Sequence, residues 1–318
     1  MKIPIKLGSS IKATALLLAT VFAAVLVTAS ANAVSKKTYF EGEEIGVSQV
    51  QGELFAHGAD LYILNRELTA REEISDTRLK GYGYFKYAIA ANMATGEAEF
   101  WGSSRIVPDQ GGGEWSGYFV ATMGPEGHGI QMTVQGSGAY AGLVARLNYK
   151  TVEDKLLISG YVEVMSAGDR PFKVEACRTE RIETIMCLVL DPETWMPYDP
   201  PVFAPIVKVG ILQEAGTATH FGRKTTEGLW LFNPSTADLT GAGAGTAANG
   251  NRAMWVCSGN LNPEDSFVRV DFCGGTGRFD AVTGGFDVTA EDKSPEPTED
   301  PNVFLKTYCY TGIGVIRY

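Results

Sequence analysis

Proton chemistry in this chain would fall to one of three histidines or to a carboxylate set in an apolar run. His57 and His128 each adjoin a glycine and are expected at turns. His220 lies in Thr217-Ala-Thr-His-Phe-Gly, where strand alternation gives it the same face as Ala218. A histidine aimed into a β-barrel would serve as acid, base or ligand anchor, because its pKa lies near neutrality. The plainer expectation is a ring bonded to a neighbouring strand or loop. Burial raises the pKa of a carboxylate and makes it a proton shuttle. Glu97 and Glu99 flank Ala98, Glu163 lies between Val162 and Val164, and Glu227 precedes Gly-Leu-Trp230. If the protein is an enzyme, His220 and Glu227 are its catalytic candidates.

The familiar catalytic signatures are missing. The sequence has no H-E-x-x-H, no G-x-S-x-G and no phosphate-binding glycine loop. Gly241-Ala-Gly-Ala-Gly245 precedes a hairpin signal rather than a helix, so it is read as a tightly packed strand. No C-x-x-C or Cys/His spacing supports a metal site. The acids Glu291, Asp292, Glu296, Glu299 and Asp300 are read as a solvated loop, and no cofactor or metal is expected. Aromatic residues are plentiful, and in a small barrel some must fill the interior. Trp101, Trp115, Trp230 and Trp255 are the candidates for lining an apolar ligand cavity.

A repeat shows which elements would position these residues. Gly136-Ser-Gly-Ala-Tyr140-Ala-Gly142 and Gly275-Thr-Gly-Arg-Phe279 each follow an alternating strand, and each has a tryptophan upstream, Trp115 or Trp255. Clustered glycines at a strand end permit positive φ and a sharp bend. Strand-like runs separated by turn signals continue on both sides, and Asn249-Gly250 is a hairpin signal. One helical turn is expected at Leu68–Glu73. The prediction is an all-β chain of two consecutive antiparallel β-barrels, residues 34–180 and 211–318. A proline-rich linker, residues 181–210, joins them; five prolines fall between Asp191 and Pro205.

Residues 1–33 have the form of a signal peptide. Lys2, Lys6 and Lys12 precede an apolar run from Ala13 to Val27, and Ala31-Asn-Ala33 is the cleavage site, so the protein is expected to be exported to a periplasmic or extracellular location. The whole chain carries a net charge of −10, and loss of the leader removes three lysines and no acid. Such a surface repels phosphate backbones and anionic lipid, which argues against nucleic acid as a partner. Membrane insertion is not expected, although the alternating C-terminal aromatics Tyr308, Tyr310 and Tyr318 echo the last strands of outer-membrane barrels. Five cysteines in an exported chain imply at least one disulfide. Cys177 and Cys187 flank an expected turn at Arg178–Glu183 and are the favoured pair. Cys257, Cys273 and Cys309 fall on later strands, their pairing open.

Several segments resemble bacterial exported proteins with allene-oxide-cyclase-like or dirigent-like, calycin-type barrels. They are Ser75-Asp-Thr-Arg-Leu-Lys-Gly81, Phe100-Trp-Gly102, Trp115-Ser-Gly117 and the Gly136–Gly142 bend, with Gly216–Gly222, Ala248-Asn-Gly250 and Gly274–Phe279 in the second half. The resemblance covers most of the chain outside the linker. It rests on structural glycine turns, which speak to fold rather than activity. It implies a barrel able to hold a small apolar molecule, and it places no catalytic residue. The expected function is non-catalytic binding of a small apolar ligand or a structural role in an exported protein. The alternatives are a cyclase or isomerase acting inside a barrel, and an outer-membrane-associated or assembly protein.

Overall fold

Period-two alternation governs nearly every element. In β4 (Gly81–Asn92), Gly83 and Phe85 are buried while Tyr82, Tyr84 and Lys86 are exposed. The computed structural model describes residues 37–318, apart from 126, 166–167, 263–265 and 291–293, with the backbone alone of His128. The leader and its cleavage site, and part of the acidic loop, lie outside the described residues.

The first half comprises β1 (Thr38–Val50), β2 (Glu53–His57), β3 (Asp60–Ile74), β4, β5 (Glu97–Pro108), β6 (Trp115–Gly124), β7 (Gly127–Gly136), β8 (Leu143–Val152) and β9 (Lys155–Val164). β3 to β9 pair in succession, and β1 pairs with both β3 and β9, so eight strands close into an antiparallel barrel. The second half adds β10 (Arg170–Leu190), β11 (Phe203–Ala218), β12 (Gly222–Asn233), β13 (Asp238–Ala247), β14 (Arg252–Asn260), β15 (Phe267–Gly275), β16 (Thr283–Ala290), β17 (Glu296–Pro297) and β18 (Val303–Arg317). Its antiparallel ladders run from β10 through β11 to β16, then from β16 to β18 and from β18 back to β10. β2 pairs with β3 and with β10 and so ties the halves together.

Each half has its own core. Phe40, Ile74, Phe85, Ile106, Met132 and Leu147 belong to one inside the barrel, and Phe172, Trp230, Trp255, Phe272, Phe279 and Phe286 to another in the second half. A third cluster, including Tyr62, Trp101, Ile185, Ile206, Leu231 and Val256, fills the junction. Trp101 crosses it, donating from Nε1 to Thr240 Oγ1 at 2.8 Å. The buried Arg146 reaches across from the first half to Gly274, whose φ of +110° and missing Cβ make room for the guanidinium.

The repeated glycine bends are structural twins. Each forms a 3-10 turn, Gly138–Tyr140 and Gly277–Phe279, begun by a glycine at φ +58° or +59°. Ser137 N donates to the Glu114 carbonyl and Thr276 N to the Arg252 carbonyl, both at 2.8 Å. Tyr140 stacks on Trp115, and Phe279 on Phe221. Gly243 also earns its place: a Cβ there would lie 2.4 Å from the Trp255 ring.

Four expectations require correction. The disulfide joins Cys177 to Cys309, and Cys187 is a buried free thiol. The cause is register: Cys177 and Cys309 face each other across β10 and β18, with Cα atoms 3.9 Å apart. Cys187 instead lies ten residues farther along the same uninterrupted strand, a reach of about 33 Å. No turn breaks Arg178–Glu183. The limits of the linker at 181 and 210 therefore fall inside β10 and β11, which leaves residues 191–202 between the strands. Leu68–Glu73 is strand, not helix. No helix among the described residues is long and apolar enough to cross a membrane, which says nothing of β-barrels.

Candidate functional site

Where β1 meets β3, the barrel closes with Glu44 opposite Glu72. A bulge in β3 near Asn65, at φ +56°, resets the alternation so that the buried residues beyond it are Ala70, Glu72 and Ile74. Glu72 is 0% exposed. Its Oε1 accepts a long bond from the Tyr149 hydroxyl on β8, at 3.4 Å. Its Oε2 meets no hydroxyl or N–H donor, and Glu44 faces Glu72 across the strand pair. Two such carboxyls cannot both ionise in this setting. Burial, then the Glu44 charge, pushes Glu72 well above the usual carboxylate range. Burial also lifts Glu44 to about 7, opposed by its bond to Glu72. Burial and the same two carboxyls hold the Tyr149 hydroxyl protonated.

Beside the pair lies a cavity of about 150 Å³, walled mainly by apolar and aromatic side chains such as Leu68, Phe85, Phe119, Ile130 and Met132, with Glu44, Tyr87 and Tyr149 as its ionisable groups. A void of about this size lined by apolar side chains accommodates a benzene-sized molecule. The guanidinium carbon of Arg66 is 5.9 Å from the Tyr87 ring in this wall.

The second half buries charges differently. Arg178, Glu180, Glu214 and Lys224 all point inward with Tyr308 and Tyr310. Arg178 Nε reaches Glu180 Oε1 at 2.7 Å, Lys224 Nζ donates to Glu214 Oε1, and Tyr310 donates to Glu214 Oε2 at 3.1 Å. Arg178 also lies 4.2 Å from the Trp230 ring centroid. The cavity here is about 40 Å³. Every carboxylate in this network has a cation.

The catalytic candidates stand apart from both interiors. β11 ends at Ala218, so His220 lies in the β11–β12 turn at φ +71°, off the strand face expected for it. Its ring packs edge-on to Tyr318 at 5.7 Å, and its carbonyl accepts from Arg278. Glu227 is an exposed side chain paired with Arg252. It borders an open groove between the halves rather than a barrel interior. His57 Nδ1 donates to the Met186 carbonyl at 3.1 Å, and His128 lies on β7. Of the four tryptophans, Trp230 and Trp255 line the small cavity. Trp101 belongs to the junction, and Trp115 bonds through Nε1 to the Arg78 carbonyl at 2.7 Å. Glu44, Glu72 and Tyr149 escaped the sequence reading. Their one signal was the pairing of glutamates on two strands that only barrel closure makes neighbours.

No family model matches the chain, and no curated protein matches it. Among solved structures, intact Ap-TbpB with its N and C lobes aligns over 90% of this chain and 78% of that one, at 8% identity and a TM-score of 0.12. Agreement this slight carries no argument.

Proposed function

We propose that this is an exported binding protein of two consecutive barrels that holds a small apolar molecule inside the first. The observation that carries the reading is the aromatic- and aliphatic-walled cavity of about 150 Å³ enclosed by β1 and β3–β9. The return of β18 to β10 supports reading the second half as another barrel, in which residues 191–202 link β10 to β11. The Cys177–Cys309 bond fits an oxidising compartment and supports export by the Met1–Ala33 leader. Charged residues such as Lys86 and Arg105 face outward and apolar ones inward, the reverse of a membrane barrel. The family resemblance agrees with this reading through its glycine bends.

Ligand-detected NMR with benzene or cyclohexanone tests it. Binding is expected in the native protein and in Trp230→Phe, and lost in Ala121→Leu, which fills the cavity. Equal binding by Ala121→Leu, or none by the native protein, overturns the assignment.

A cyclase or isomerase is the second reading, and the Glu44–Glu72 pair at the cavity wall is the observation that favours it.

A further inference from the structure

We propose that the interior of the first barrel is a proton-transfer site, in which the Glu44 carboxylate and the Tyr149 hydroxyl act on a small ketone seated in the cavity. The inference rests on the ligand-binding reading and adds a reaction to it. Glu44 and Tyr149 both line the cavity, whose remaining walls are almost wholly apolar. A base and a neutral hydrogen-bond donor therefore face one largely apolar space. Glu72 stands behind them, bonded to Tyr149 and facing Glu44 across the strand pair. Its 3.4 Å bond to the Tyr149 hydroxyl is long enough to be surrendered to a better acceptor.

A carbonyl is that acceptor. Glu44 removes a proton from the carbon next to the carbonyl, the C–H electron pair forms a C=C bond, and the carbonyl π pair moves to oxygen. Tyr149 hydrogen-bonds the resulting enolate oxygen, and burial, the largest cause, holds its hydroxyl in the neutral form. Glu44 then returns a proton to the same carbon, giving exchange, or to a conjugated carbon, giving a double-bond shift. Atoms and electrons balance with no oxidant or reductant. An organic cation suits the cavity less well, because Arg66 lies against the Tyr87 ring of its wall.

The titratable groups around the Glu44 carboxyl are Glu72 on β3, Tyr149 on β8 and Tyr87 on β4, with Arg66 beyond Tyr87. Glu44 must be ionised to act as base, so the rate should rise with pH through about 7. Glu44 and Tyr149 are the catalytic residues; Glu72 is a positioning residue. Its bond lowers the Glu44 value, so Glu72→Leu should move the midpoint of the pH profile upward.

The test is deuterium uptake by cyclohexanone in D2O, followed by mass spectrometry on the full chain, with binding measured separately by ligand-detected NMR. The native protein should exchange cyclohexanone at least about 100-fold faster than Glu44→Gln, which should still bind it. Glu44→Asp, which keeps the carboxylate, should restore part of the rate and serves as the folding control. Binding without exchange above the buffer rate overturns the proton-transfer site and leaves the binding reading intact. Absence of binding overturns both. Exchange that survives Glu44→Gln overturns the assignment of the base.

Discussion

In the second half Glu180 lies 2.7 Å from Arg178 and Glu214 holds Lys224, whereas in the first half Glu72 faces another carboxyl, Glu44. The cavities differ in the same sense, about 40 Å³ against about 150 Å³. Both interiors are antiparallel, aromatic-rich and built around the same glycine bend, so topology does not explain the contrast. Charge pairing does. A carboxylate matched by a cation and by tyrosine hydroxyls has its bonding capacity used internally and fixes the packing around it. Carboxyls that must share a proton keep a variable charge beside empty space, which is what a binding or proton-transfer site requires. The second half thus has its buried carboxylates matched by cations, whereas the first keeps two facing carboxyls beside its cavity.

The largest difference should come from breaking a matched pair. Lys224→Met leaves the buried Glu214 with Arg178, at 3.9 Å, as its remaining cation and should cost about 3 kcal/mol in urea unfolding. Glu72→Gln in the first half relieves a carboxyl–carboxyl contact and should be neutral or stabilising. Equal losses for the two variants would erase the distinction.

Reduction of the disulfide comes next. Cys177–Cys309 closes a loop of 132 residues within the second half, and no cysteine lies in β1–β9. Cys309→Ser should lower stability by about 2–5 kcal/mol. Peptide mapping without reductant should recover Cys177 joined to Cys309 and Cys187 free. A Cys177–Cys187 peptide would contradict the strand register.

The carboxyl pair also makes stability depend on pH with a definite sign. Glu44 and Glu72 have raised values when folded, so between the ordinary glutamate range near 4.5 and about 7 the folded state binds more protons than the unfolded one. Their contribution is most favourable below about 4.5 and is lost as pH rises through 7. The urea midpoint of the native protein should fall over that interval, by an amount on the order of 2 kcal/mol, and the fall should be shallower in Glu44→Gln. A parallel slope in both proteins would show that the pair does not titrate as described.

How much of this was legible in the sequence depends on the range of the interaction. Strands with clean alternation, such as β4, β6 and β7, could be read from one segment at a time. The glycine bends could too, because a positive φ is a local demand. β10 was cut short because Arg178 and Glu180 point into the protein, and charged residues at inward positions imitate a turn. His220 was misplaced because the chain turns two residues before Gly222, itself at φ +67°. The disulfide and the Glu44–Glu72 pair join strands distant in sequence, and neither spacing nor composition carries the register that brings them together.

Packing gives the smallest effect. Ala121→Leu adds bulk where space exists and should change stability by less than about 1.5 kcal/mol, whereas Gly243→Ala drives a methyl against the Trp255 ring and should cost about 1–3 kcal/mol. Similar costs at both positions would mean that the first interior is as full as the second.

The central claim is that the carboxyls of the first barrel share a proton near neutral pH. A ¹³C NMR titration of the glutamate side-chain carboxyls, with Glu44→Gln for assignment, tests it directly. The account predicts a carboxyl with its midpoint near 7 that disappears in Glu44→Gln, and a second, Glu72, still protonated where the first ionises. If Glu44 and Glu72 both titrate in the ordinary range near 4.5, the pair is two solvated carboxylates and the distinction between the halves fails.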